Sequence, residues 1–84
     1  MGKGKKIKVI EAHLGQYKAD GLAWPADRVI AIDRRLKGVR KLDVYIHEYT
    51  HCHFPEMDEE TVSKFATHLA KFLFHHHVRF TDAG

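Results

Sequence analysis

An 84-residue chain with 44% apolar and 30% charged residues has enough material for one compact domain, but at this size a single core stabilises a fold only marginally. Its one cysteine, Cys52, excludes an internal disulfide and a cysteine-rich zinc finger, and no apolar run approaches the roughly 20 residues of a membrane span. The formal charge of +3 gathers largely at Lys3, Lys5, Lys6 and Lys8, with no apolar stretch behind them for a signal peptide, so a single cytoplasmic domain over 1–84 is expected, loose at 1–5 and 81–84.

From Lys5 to His13 residues alternate, with Ile7 and Val9 on one face and Lys6, Lys8 and Ile10 on the other, which predicts a half-buried strand ended by Gly15. Asp20-Gly21 and Trp24-Pro25 are turn signals, so 16–26 is read as a loop that Trp24 anchors. Arg28 to Asp33, with Val29, Ile30 and Ile32, predicts a second strand pairing with the first, and 34–38 turns out of it. From Val39 the period changes: Val39, Leu42, Ile46 and Tyr49 recur at helical spacing, which predicts a helix to about His53 with that stripe against a core. Phe54-Pro55 breaks it. Asp58 then suits an N-cap, with Glu59 and Glu60 in the first turn of a second helix whose buried stripe is Val62, Phe65, Ala66, Leu69, Phe72 and Leu73, continuing to about His76. The fold class expected is α+β, a small sheet of about two strands packed on two helices.

The string His47-Glu48-Tyr49-Thr50-His51 falls on the first helix and matches H-E-x-x-H. Residues four apart on a helix lie one above the other, so both imidazoles project the same way and can reach one metal ion. Glu48 is about 100° round from His47, where its carboxylate can take a proton from attacking water without ligating the metal. His47 and His51 lie nearly opposite the Leu42, Ile46 and Tyr49 stripe, a placement that core histidines do not require. A zinc site needs a third protein ligand. His53 and Cys52 point away round the same helix, whereas Glu59 shares the inward face of Val62 and Ala66; Glu60 and Asp58 are the alternatives.

This order of strands, motif helix and second helix opening with Glu59 resembles the zincin metallopeptidases, and within them the gluzincin branch, including small metallopeptidases of the kind bacteriophages carry. The resemblance covers roughly 27–74, with the five-residue motif its specific part. It implies a minimal zincin-like domain holding one Zn2+ through His47, His51 and Glu59, with Glu48 as the general base of peptide hydrolysis. It also implies a peptide or protein substrate, lying extended against an edge of the second strand, Arg28 to Asp33.

The competing expectation is a non-catalytic, metal-stabilised binding domain whose basic N-terminus contacts nucleic acid or a protein partner. Tyr17, Tyr45, His13, His68 and His75 to His77 are the candidates for an oxyanion donor. Among these, His68 is expected to face solvent and 75–77 to end the second helix. Cys52 is expected to be an inert, partly buried thiol.

Overall fold

The computed structural model describes residues 6–78 and 80, so the loose ends expected at 1–5 and 81–84 lie outside the described residues. These residues build a small α+β domain with strands β1 (Lys8–Ala12), β2 (Gly21–Trp24) and β3 (Val29–Asp33), followed by helices α1 (Gly38–His53) and α2 (Glu59–His75). The sheet has three strands in the order β1-β3-β2, not two. β1 runs parallel to β3 and β2 antiparallel to it.

The additional strand lies inside the segment expected to be a loop. Its bounding turn signals are real: Trp24-Pro25 leads into a 3-10 turn at Pro25–Asp27, and Arg28, with φ of 56°, completes the reversal into β3. Between the signals, the four residues Gly21 to Trp24 pair with Ile32 to Val29 as a hairpin. A run that short shows too little alternation to stand out. Trp24 is consequently a strand residue, 44% exposed, and not a loop anchor.

β1 is narrower and more exposed than expected. Val9 and Ile10, on opposite faces, are 42% and 41% exposed, because β1 is an edge strand and α1 covers only part of its inner side. β3 is the central strand. Ile30 and Ile32 face α1 and form the core with Val44 and Cys52, joined by Ile7, Ala23, Leu36 and Tyr45. Burial of side chains this size contributes about 1.5–3 kcal/mol each. The end of β3 is held by a carboxylate: buried Asp33 accepts hydrogen bonds from Leu14 N and Arg35 N and a forked pair from the Arg35 guanidinium. Those bonds, led by the Arg35 side chain, hold the Asp33 carboxyl well below the usual carboxylate range.

α1 begins where Lys37 is extended and Gly38 takes φ of 62°, a conformation open to glycine without the Cβ penalty. The helix lies between the sheet and α2, which packs mainly on α1. Its buried residues are Val44, Glu48, Thr50 and Cys52, and the stripe expected to be core is not. Val39 and Tyr49 are exposed and Leu42 and Ile46 half-buried, because two different layers bury two other sides of the helix. On α2 the fully buried residues are Val62, Ala66 and Ala70, small enough for close helix approach, while Phe65 and Phe72 stay on the surface. Asp58 caps α2 as expected, accepting from Thr61 N at 2.9 Å. Cys52 is fully rather than partly buried, and burial pushes its thiol up. No helix among the described residues is long and apolar enough to cross a membrane.

Candidate metal centre

Helical spacing brings His47 and His51 to one side of α1, and the Phe54-Pro55 break returns the chain so that the first residue of α2 faces them. His47 Nε2 and His51 Nε2 are 3.2 Å apart. The two carboxylate oxygens of Glu59 divide between them, Oε2 at 3.1 Å from His47 and Oε1 at 2.8 Å from His51. Ser63, one turn along α2, donates to Glu59 Oε2 at 3.3 Å. Among the described residues these three side chains form the one group of His, Cys, Asp or Glu with ligand atoms gathered closely enough for an ion.

The donor set fits zinc. Bonds of about 2.0–2.1 Å from a tetrahedral ion place two nitrogens about 3.3 Å apart, close to the separation of the two imidazole nitrogens. Two imidazole nitrogens and one carboxylate also make a nitrogen-and-oxygen set of the kind that suits zinc and leaves a fourth position free. The histidine rings are about one-fifth to one-quarter exposed and Glu59 is largely exposed, so the group opens to solvent on the α2 side.

The alternatives to Glu59 are engaged elsewhere. Asp58 holds Thr61 through both its backbone and its hydroxyl, and Glu60 pairs with Lys64. His53 stacks on Tyr49 on the other side of α1.

Glu48 lies against β2 at Gly21 and is only 9% exposed. Burial pushes its carboxyl up to about 7, opposed by His51 and reinforced by the charge of Glu59. The sheet comes up against it at Gly21, a residue whose sequence context reads as a turn. Gly21 pairs with Ile32 and so faces α1; a Cβ there would lie 2.7 Å from Val44 Cγ1, 2.8 Å from Glu48 Cγ and 2.9 Å from Glu48 Oε2. Glycine at 21 is therefore a packing requirement: it lets β2 pass against the carboxyl, and β2 in turn limits where that carboxyl can go. The available signal was a glycine directly ahead of the short apolar run Leu22-Ala23-Trp24, which the Asp20-Gly21 turn signal masked.

Two recesses of about 430 and 440 Å³ meet at Gly21, His47, Glu48 and Glu59. The first is polar, with Asp20, Arg40, Asp43, Ser63 and Thr67 on its walls. Arg40 is ion-paired to Asp20 across it, and Thr67 donates to Asp43 at 2.8 Å. The second runs past Leu22, Ala23, Pro25 and Pro55. Together they make a cleft with the histidines and carboxylates at its centre and β2 along one wall.

This arrangement corrects the expected edge. β3 has a partner on each side, so it offers no free edge; β2 is the strand that borders the cleft. The expected oxyanion donors are also elsewhere. Tyr45 donates to the Glu11 carboxylate; burial and then that bond raise its phenol, while the same bond lowers Glu11 against the opposing effect of burial. Tyr17, His13, His68 and the histidines at 75 to 77 are exposed and line neither recess.

Comparison with models of known protein families, with curated proteins and with solved structures found no match to this chain.

Proposed function

We propose that this chain is a minimal zinc-dependent peptidase of zincin-like design, with His47, His51 and Glu59 as ligands and Glu48 as the general base. The observation that carries the reading is the convergence of His47 Nε2, His51 Nε2 and the Glu59 carboxylate, with a nearly buried carboxyl from the next residue of the same helix turned into the same cleft. A bound zinc ion supplies Lewis acidity, making water a stronger acid and polarising a carbonyl. The protein's own part is positioning and proton transfer. Glu48 accepts a proton from the attacking water and returns it to the leaving amine, a task suited to a carboxyl whose affinity for protons has been raised by burial. Ser63 orients Glu59, and Gly21 lets β2 close beside Glu48.

The substrate class follows from the wall of the cleft. The side of β2 away from β3 has no strand partner among the described residues, so its backbone is available to an extended peptide by strand addition. Flexible loops and unfolded segments fit such an edge better than folded surfaces do.

The test is elemental analysis of the purified protein alongside His51→Ala and Glu48→Gln. One zinc per chain is expected, lost in His51→Ala and kept in Glu48→Gln, with peptide hydrolysis lost in both. Zinc that stays while Glu48→Gln leaves hydrolysis unchanged would assign the base elsewhere. Zinc without any hydrolysis would make the centre a metal staple for a binding domain.

A further inference from the structure

From Thr61 to Phe80 the chain carries Lys64, Lys71, Arg79 and four histidines, and no aspartate or glutamate. Within this stretch Lys64-Phe65-x-x-His68 recurs seven residues later as Lys71-Phe72-x-x-His75. Seven residues are close to two helical turns, so each pair of equivalents shares one face of α2. All six residues are exposed, Phe65 at 48% and Phe72 at 59%, and the packing of α2 on α1 uses Val62, Ala66 and Ala70 instead. The repeat thus lies outside the core.

It borders a groove. Phe65 and Leu69 form one wall, Tyr45, Ile46 and Tyr49 of α1 the other, and Phe54 closes one end of a space of about 350 Å³. Round α2 from that groove come the phenylalanine row, then His68 and His75 about 60° further, then Lys64 and Lys71 about 40° beyond. At the start of this ridge Lys64 is paired with Glu60 at 3.2 Å. On the α1 side Tyr49 carries His53 stacked on it, and Tyr45 is hydrogen-bonded to Glu11. An apolar channel with a lysine and histidine ridge along its α2 side is the complement of one particular shape.

We infer that this groove receives an amphipathic helix of a partner protein, with its apolar side between Tyr49 and Phe65 and an acidic flank along Lys64, His68, Lys71 and His75. Such helices anchor through residues recurring at helical spacing, and a two-turn repeat on α2 matches the same repeat on an incoming helix. A second copy of this chain is the wrong complement. Its net charge is +3, Asp43 and Glu48 of α1 face the cleft, and the acids of α2 are confined to its first turn. A nucleic acid would engage the lysines and leave the apolar walls uncovered.

The inference is independent of the peptidase reading, and its test measures binding alone. The probes are three fluorescent helical peptides with the same leucine face, flanked by glutamate, glutamine or lysine, together with a single-stranded oligonucleotide; the readout is anisotropy with the full chain. The glutamate-flanked peptide is expected to bind, with affinity falling about tenfold or more, equal to about 1.4 kcal/mol, in Phe65→Ser/Phe72→Ser and in Lys64→Glu/Lys71→Glu. Circular dichroism checks that both variants fold, and Lys64→Glu/Lys71→Glu should gain affinity for the lysine-flanked peptide. Equal binding of all three peptides, no binding, or affinity unchanged in the variants overturns the inference. So does tighter binding of the oligonucleotide, or self-association that Phe65→Ser/Phe72→Ser abolishes.

Discussion

The two long sides of α1 are built from the same helix and have opposite character. Towards the cleft it presents Arg40, Asp43, His47 and Glu48, and the wall opposite is a strand brought so close that only a glycine fits. Away from the cleft it presents Tyr45, Ile46 and Tyr49, and the groove there is left open by the rest of the described fold. Helical spacing alone separates these sides, since His47 and Tyr49 are two residues, or about 200°, apart. What differs is closure. The polar side has a carboxyl closed in by surrounding atoms, while the apolar side has surface without a partner among the described residues. A small domain that can bury only one layer on each side of a central helix directs that capacity to the sheet and α2.

Two neighbouring substitutions separate these sides most strongly. Glu48→Gln should lower peptide turnover about 10²–10⁴-fold, the usual contribution of a positioned base, with zinc content unchanged. Tyr49→Ser, next in sequence but on the other side, should leave turnover unchanged. If both fall together, the two sides are not independent.

Gly21→Ala should have the next largest effect. The added methyl meets Val44 and Glu48 at under 3 Å, so the melting temperature drops and turnover falls about tenfold as the base is displaced. Adding Val44→Ala removes the nearest clash. The double variant should recover part of the melting temperature but not the turnover; full recovery of both would reduce Gly21 to a packing role.

Asp33→Asn tests the support beneath the cleft wall, since Asp33 N donates to Asp20 O at 2.8 Å beside Gly21 and its carboxylate holds Leu14 and Arg35. Its folded pKa is depressed, so its stabilisation is present above the ordinary carboxylate value of about 3.9 and is lost as pH falls towards the folded value. Thermal melts should show the variant less stable at neutral pH, with the difference narrowing as pH falls below 4. A gap that is constant with pH would assign the effect to shape rather than charge.

The smallest effect is expected on the open side. Phe72→Ser, at a residue 59% exposed, should change the unfolding free energy in urea by less than about 1 kcal/mol. Val62→Ala, at a residue with no exposure, should cost more than that.

Much of the candidate centre was legible before folding, because its parts are local. The i, i+4 histidines, the adjacent Glu48 and the return through Phe54-Pro55 to Glu59 lie within thirteen consecutive residues, 47–59, and depend on one helix, one break and one N-cap. The core faces were less legible. A period identifies a helix and its rows of residues, but α1 has neighbours on two sides, so its buried positions, Val44, Glu48, Thr50 and Cys52, do not form a single stripe. The Tyr49 row and the Phe65 and Phe72 row have the spacing of core residues and are not core, because no described element packs over them.

Local periodicity and turn chemistry were sufficient for the two helices, two of the three strands, the cap at Asp58 and the shared direction of His47 and His51, since each depends on residues a few positions apart. The folded chain alone decided that β3 is central, that β2 exists and borders the cleft, and that Gly21 meets Glu48 across twenty-seven positions of sequence. The physical reason is that strand order and close packing are set by contacts between distant segments competing for one small core. A pattern of neighbours carries no information about which distant segment wins.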